Sequence, residues 1–252
     1  MSVAPVLSLC IASTRALPAG GPSHGPQQMA ASHAATRHEM GGGAQTFLQA
    51  ERFEYQTNEG DGRIFWDAQG WYGGDRNKLW IKSGGEYALD PDGLEEAEAQ
   101  ALWSRAISPF FDAQAGIRHD FDPGPSRTYG VTGIQGLAPY GFEIDAAAFL
   151  SHKGDVSARI EAEYELLLTQ RLILQPRAEI ELAAQDAPEQ GIGAGLARGE
   201  AGLRLRYEIT REVAPYIGVE WRRSFGETAG FARAAGENAG SAGFIAGLRL
   251  WY

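Results

Sequence analysis

The side chains best suited to chemistry gather near the N-terminus: His24, Met29, His33, His38 and Met40. They include three of the chain's five histidines and two of its three methionines. Imidazole with thioether is a soft donor set. It suits copper, Cu(I) especially, and suits hard cations such as calcium or magnesium poorly. The surrounding residues 21–45 are rich in Gly, Ala, Pro, Ser, His and Gln. With so little apolar surface to bury, the segment cannot offset its ordering entropy. It is expected to be a flexible arm that would hold a metal by wrapping it. The competing reading is a cleavable linker with incidental histidines.

A second constellation consists of charges at every second position. Glu161, Glu163 and Glu165 alternate with Ala162, Tyr164 and Leu166, and Arg171, Arg177, Glu179 and Glu181 oppose Leu172, Ala178, Ile180 and Leu182. Arg204, Arg206 and Glu208 oppose Leu203, Leu205 and Tyr207, and Glu220 and Arg222 oppose Val219 and Trp221. Successive side chains of a strand point to opposite faces, so each set of charges shares one face. Charges of both signs removed from bulk water must pair and hydrogen-bond. Such a network either plugs and rigidifies an interior or lines a hydrated path with acidic sites for a cation. His119 and His152 end two further segments. With Asp120 or Asp122 they would form an intake site, or each is a polar residue closing an apolar strand.

Covalent catalysis finds little support. The chain has no Gly-x-Ser-x-Gly, no His-Glu-x-x-His and no phosphate-binding loop. Ser151 and His152 are neighbours that would face opposite sides of a strand. A binding or conducting protein is expected, and a barrel hydrolase is the reading from another class.

The elements that position these residues follow from the same alternation. Twelve strand-like segments are expected, near 46–57 (with Phe47, Phe53 and Tyr55 alternating onto one face), 62–72, 75–84, 96–107, 110–121, 127–138, 141–152, 156–166, 171–182, 203–209, 213–222 and 244–252. Residues 94–102 are rich in helix formers, and the second half is read as strand. The last segment puts Phe244, Ala246, Leu248, Leu250 and Tyr252 on one face, an apolar strand ending on an aromatic residue. Joins after even-numbered segments are tight, as at Ala138-Pro139-Tyr140-Gly141. Several joins after odd-numbered ones are longer: 84–95, 121–126, 183–199 and 223–238. Short turns at one end and long loops at the other, with strands of about 9–11 residues, are the habit of outer-membrane barrels.

Bulk properties agree. The 252 residues carry a formal net charge of -10 and one cysteine, Cys10, so no intrachain disulfide is possible. The acidic balance argues against nucleic acid, and no apolar run of about 20 residues offers a spanning helix. Residues 1–20 hold the apolar run Val3–Ala12 without a basic start, consistent with the remnant of an export signal.

Several stretches resemble the copper-resistance protein B (CopB/PcoB) family. They are Phe47–Tyr55, Trp66–Asp75, Ser108–Arg118, Glu163–Arg177, Ala214–Val219 and Gly247–Tyr252, in order along nearly all of 46–252. The resemblance implies an outer-membrane protein of copper tolerance that works beside periplasmic copper-handling proteins. Members commonly carry a Met/His-rich N-terminal region, which here is short and lacks a repeated Met-rich motif. The expectation is therefore an all-β transmembrane, antiparallel up-and-down barrel over 46–252, a monomer in outer-membrane lipid. A periplasmic arm at 21–45 would capture copper, as Cu(I) or Cu(II), and the barrel would pass it on. The alternative is a closed barrel that sequesters copper without transport.

Overall fold

The computed structural model describes residues 43–58, 61–89, 92–121 and 126–252, and within them antiparallel strands dominate. The expected copper ligands His24, Met29, His33, His38 and Met40, and Asp122, lie outside the described residues. Twelve strands follow in order: β1 (Gln45–Asn58), β2 (Asp61–Gly73), β3 (Asn77–Leu89), β4 (Asp92–Ala106), β5 (Phe111–Asp120) and β6 (Arg127–Ala138). They continue as β7 (Phe142–Ser151), β8 (Val156–Tyr164, extended by Leu166–Leu167), β9 (Leu172–Ala183), β10 (Gly195–Tyr207), β11 (Val213–Ser224) and β12 (Gly240–Trp251).

Each strand pairs with its successor, and β12 returns to pair with β1, closing the sheet into a barrel. At the seam Leu48 and Tyr252 exchange backbone hydrogen bonds of 2.9 and 2.8 Å. Closure satisfies the backbone groups that an open edge would leave bare, which a wall in hydrocarbon requires.

The sequence alternation sorts side chains between the two faces of this wall. Ile117, Ile217 and Phe244 are 60%, 64% and 74% exposed on the outside. An apolar band of this extent is costly in water and fits a lipid exterior. The next residues along, such as Arg118, Arg204 and Glu220, turn inward and are buried. One arc of the interior is apolar: Trp80, Leu102, Tyr129, Val131 and Phe149 cluster there with Trp71 against them.

The ends differ as the spacing predicts. Tight turns join β2–β3, β4–β5, β6–β7, β8–β9 and β10–β11. At the opposite end lie the long connections Ala184–Ala194 and Phe225–Ala239. The barrel's first residues and its C-terminus are at the short-turn end, since Gln45 pairs with Gly73 and Gln49 with Trp251.

Three expectations are corrected. The join expected at 84–95 is a continuous hairpin in which Tyr87 pairs with Leu94 and Ala88 with Gly93, so all of 94–102 is strand. Gly84-Gly85 is no turn there. The indole of Trp66 lies across Gly85, where a Cβ would sit 2.2 Å from the ring. The loop expected at 223–238 contains a helix, α1 (Gly226–Ala235), which buries Thr228 and Ala229. Finally, Phe47 does not share a face with Phe53 and Tyr55. It turns inward, its ring 6.1 Å from Trp71, because the strand between them is bulged.

Candidate functional site: the charged lumen

Bulges in β1 and β4 change what faces inward. Along β1, Ala50 pairs with Ala68 and Arg52 with Asp67, so Glu51 is an extra residue. Before it the odd-numbered residues face the lumen and after it the even-numbered ones do, which brings Glu51 and Arg52 inside together. Along β4, Glu96 pairs with Glu86 and Leu94 with Tyr87, leaving Glu95 extra. Glu95 and Glu96 therefore both enter the interior, where Arg63 binds Glu95 at 3.1 Å.

One side of the lumen, made by β1 and β10–β12, is filled. Arg204 bonds Glu54 at 2.7 Å through Nε and Glu220 at 2.5 Å through Nη2. Tyr216 donates its hydroxyl to Glu54 at 2.9 Å. Glu54, Arg204, Tyr216 and Glu220 are each at most 5% exposed. Gly202 makes room for this: a Cβ there would come within 2.5 Å of Arg204 Nη1. The guanidinium can lie flat along the wall only because that position has no side chain.

The middle of the lumen is a mesh. Arg177 contacts Glu161 at 2.8 Å, Glu163 and Glu200 at 3.3 Å, and also Glu179. Arg159 reaches Glu98, Glu179 and Glu181, at 3.2, 3.5 and 3.0 Å. Arg118 pairs with Glu98 at 2.7 Å and Asp120 at 2.6 Å, and stacks 4.9 Å from the Phe149 ring. Arg222 joins Glu86 and Glu220, both at 3.0 Å, over the ring of Phe65. Toward the short turns, Arg206 and Arg249 both hold Glu165 at 2.7 Å.

Opposite the filled side the lumen opens. A cavity of about 580 Å³ is bordered by Lys78, Lys82, Asp112 and Asp145, the first two paired with the last two. Thirteen carboxylates but only seven cationic side chains line it, so its field favours a cation. A second cavity of about 550 Å³ lies beneath the long loops. Its roof is the connection Ala184–Ala194 with α1. Glu189 binds Arg127 at 3.1 Å and Lys153 at 2.5 Å, Gln190 donates to the Tyr129 hydroxyl at 2.8 Å, and Gly193 N–H donates to Thr228 at 2.9 Å. The Lys153 hydrogen bond, then its charge and that of Arg127, hold the Glu189 carboxyl below the usual carboxylate range.

The residues picked from the sequence fall as follows. Glu161, Glu163, Glu165, Arg177, Glu179, Glu181, Arg204, Arg206, Glu220 and Arg222 all lie in the interior mesh. Glu208 reaches only Arg206, at 4.0 Å. Arg171 is corrected: it sits exposed in the β8–β9 turn and forms no ion pair among the described residues. His119 points outward, edge-on to Phe121, with Nδ1 2.8 Å from Thr128 Oγ1. His152 lies in the β7–β8 turn, where its Nδ1 accepts from Thr128 N–H at 3.3 Å. Thr128 thus brings the two histidines together outside the wall. Asp120 is on the opposite face, held by Arg118, so the intake site expected of His119 with Asp120 does not form. Among the described residues no three His, Cys, Asp or Glu side chains converge to hold a metal ion. Glu51 and Glu95 are lumen groups that sequence reasoning misses because a bulge leaves no mark in a period-two count, whereas Arg52, Glu54 and Glu96 lie on the inner face that the count gives without being singled out by it. Lys78, Trp80 and Lys82 did carry a visible alternation.

A closed wall of twelve strands, apolar outside and charged within, is a β-barrel of the outer-membrane type. The NanC porin shares this fold with a TM-score of 0.54 at 9% identity, over 82% of this chain and 99% of that one. The family described as "Copper resistance protein B precursor (CopB)" matches residues 44–252. A Copper resistance protein B homolog from Pseudomonas syringae pv. tomato is 44% identical over 207 residues, 82% of this chain and 70% of the relative. Copper resistance protein B from Escherichia coli is also 44% identical, over 80% of this chain and 68% of its own length. The chain belongs to the copper resistance protein B family.

Proposed function

We propose that the protein binds copper at the outer membrane and passes it through the barrel, with no covalent chemistry. The carrying observation is the larger cavity, whose lining holds thirteen carboxylates and seven cations. Capture falls to the arm, whose His24, Met29, His33, His38 and Met40 are the chain's concentrated soft ligands. The short-turn end, from which β1 starts, would face the periplasm, so copper delivered by periplasmic copper-handling proteins would meet the arm first. A closed, sequestering barrel is the second reading, and the loops bolted over the outer mouth favour it.

Two measurements on the full chain test the proposal. The purified protein in detergent is titrated with Cu(I) and Cu(II), beside a variant with His24, His33 and His38 changed to Ala and Met29 and Met40 to Leu. Loss of binding in the variant supports arm capture, and unchanged binding moves the site elsewhere. Copper influx into liposomes carrying the native protein supports passage, while tight binding without influx favours sequestration.

A further inference from the structure

The lumen offers a narrow choice of metal ligands. Residues 43–252 contain no methionine and no cysteine, and their two histidines, His119 and His152, are both outside the wall. A metal ion between the two mouths would meet carboxylate, amide, hydroxyl and backbone oxygens, set among guanidinium and ammonium groups that offer it nothing. Soft Cu(I) gains little from such donors. Cu(II) accepts oxygen ligands, and the exchangeable water of its shell lets it pass from one carboxylate to the next.

Where the path narrows is also defined. The two cavities meet at a layer they share: Glu96, Phe149, Arg159, Glu181 and Arg198. Arg159 is committed to Glu98 and Glu181, and Arg198 to Glu181 at 4.0 Å. Glu96, brought inward beside the β4 bulge, makes no direct side-chain hydrogen bond or ion pair among the described residues, although the charges of Arg198, Arg159 and Arg118 act on it. Its carboxylate stands at the junction without a contact partner, and a charge in a confined, low-dielectric passage is felt strongly.

We infer that the ion crossing the lumen is hydrated Cu(II) in preference to Cu(I), and that Glu96 sets the preference of the junction for cations over anions. This rests on the passage reading above. A path built of oxygen donors does not distinguish Cu(II) from Zn(II) strongly, so metal identity would be decided before the barrel, on the arm.

The test uses the full chain, in planar bilayers under a KCl gradient and in liposomes loaded with a metal-responsive dye. Folding of each variant is checked first by the heat-dependent gel shift of a closed barrel. The native protein is expected to show a K⁺-selective reversal potential. Cu(II) and Zn(II) should enter at rates within about threefold, and Cu(I), supplied as its acetonitrile complex under argon, at least about tenfold more slowly. Glu96→Gln should move the reversal potential toward zero and Glu96→Asp should keep it. Glu212→Gln, on a short turn outside both cavities, should match the native protein. Cu(I) entering as fast as Cu(II), or a conducting Glu96→Gln variant with native selectivity, overturns the inference and leaves passage standing. A native protein that neither conducts nor admits metal removes the passage reading, and this inference with it.

Discussion

Glu54, Arg204, Tyr216 and Glu220 on one side of the lumen, and Lys78, Lys82, Asp112 and Asp145 on the other, are both sets of paired charges. The first set fills its half of the barrel and the second borders a cavity. Residue type does not separate them. Geometry does: on the filled side a glycine, Gly202, lets Arg204 lie along the wall and reach across to β1 and β11. On the open side each lysine reaches one carboxylate and remains 16–20% exposed. The contrast separates a structural salt-bridge cluster from groups a passing ion would meet, although a period-two reading ranks them alike.

The comparison is broken most directly at Arg204. Arg204→Met leaves Glu54 and Glu220 buried and uncompensated, and removing one member of such a cluster costs about 3–5 kcal/mol. The expected outcome is a large fall in the urea midpoint of the detergent-solubilised barrel with conductance little changed in the surviving folded fraction. A loss below about 1 kcal/mol would mean that water reaches the cluster and that the lumen is open on both sides.

Lys82→Met sharpens the other half. Its partner Asp145 is about one-third exposed, so water can replace the lost cation, and the pair should contribute at most about 1 kcal/mol. Stability should barely move. The excess of carboxylates bordering the larger cavity rises by one, so K⁺ over Cl⁻ selectivity should increase. A stability loss as large as that of Arg204→Met would show that the open side is structural too.

How much of this was legible in the sequence depends on whether the alternation runs unbroken. From β5 to β9 it does, and Ile117 outside with Arg118 inside, or Ile180 outside with Glu179 inside, follow from counting alone. In β1 and β4 an extra residue shifts the count. Counting alone thus puts Phe47 on the wrong face and hides Glu51 and Glu95 as lumen groups. The helix α1 was hidden for a different reason. Ten residues make fewer than three turns, too few for a periodic stripe to stand out in a Gly- and Ala-rich loop. The cavities were beyond sequence altogether, since they depend on which long side chains cross the lumen and which stay near their own strand.

The smallest effect is expected at the roof. Glu189 is mostly exposed and ties Ala184–Ala194 to Arg127 and Lys153, so Glu189→Gln should leave global unfolding where it is. It should loosen only that loop, read as faster hydrogen exchange at the Gln190 and Gly191 amides. The native contact carries a pH signature. Lys153 and Arg127 depress the Glu189 carboxyl, so its pairing favours the closed loop above the ordinary carboxylate pKa and is lost as pH falls through the lower folded value. A spin label on Ala194→Cys, in a Cys10→Ser background, should stay immobile through the ordinary carboxylate range and become mobile only below it. If Glu189→Gln loosens the loop and also raises conductance, the roof is the closed state of a passage. If the loop loosens and conductance stays at zero, the barrel is blocked below the roof, at the layer the two cavities share, and sequestration becomes the better account of the lumen.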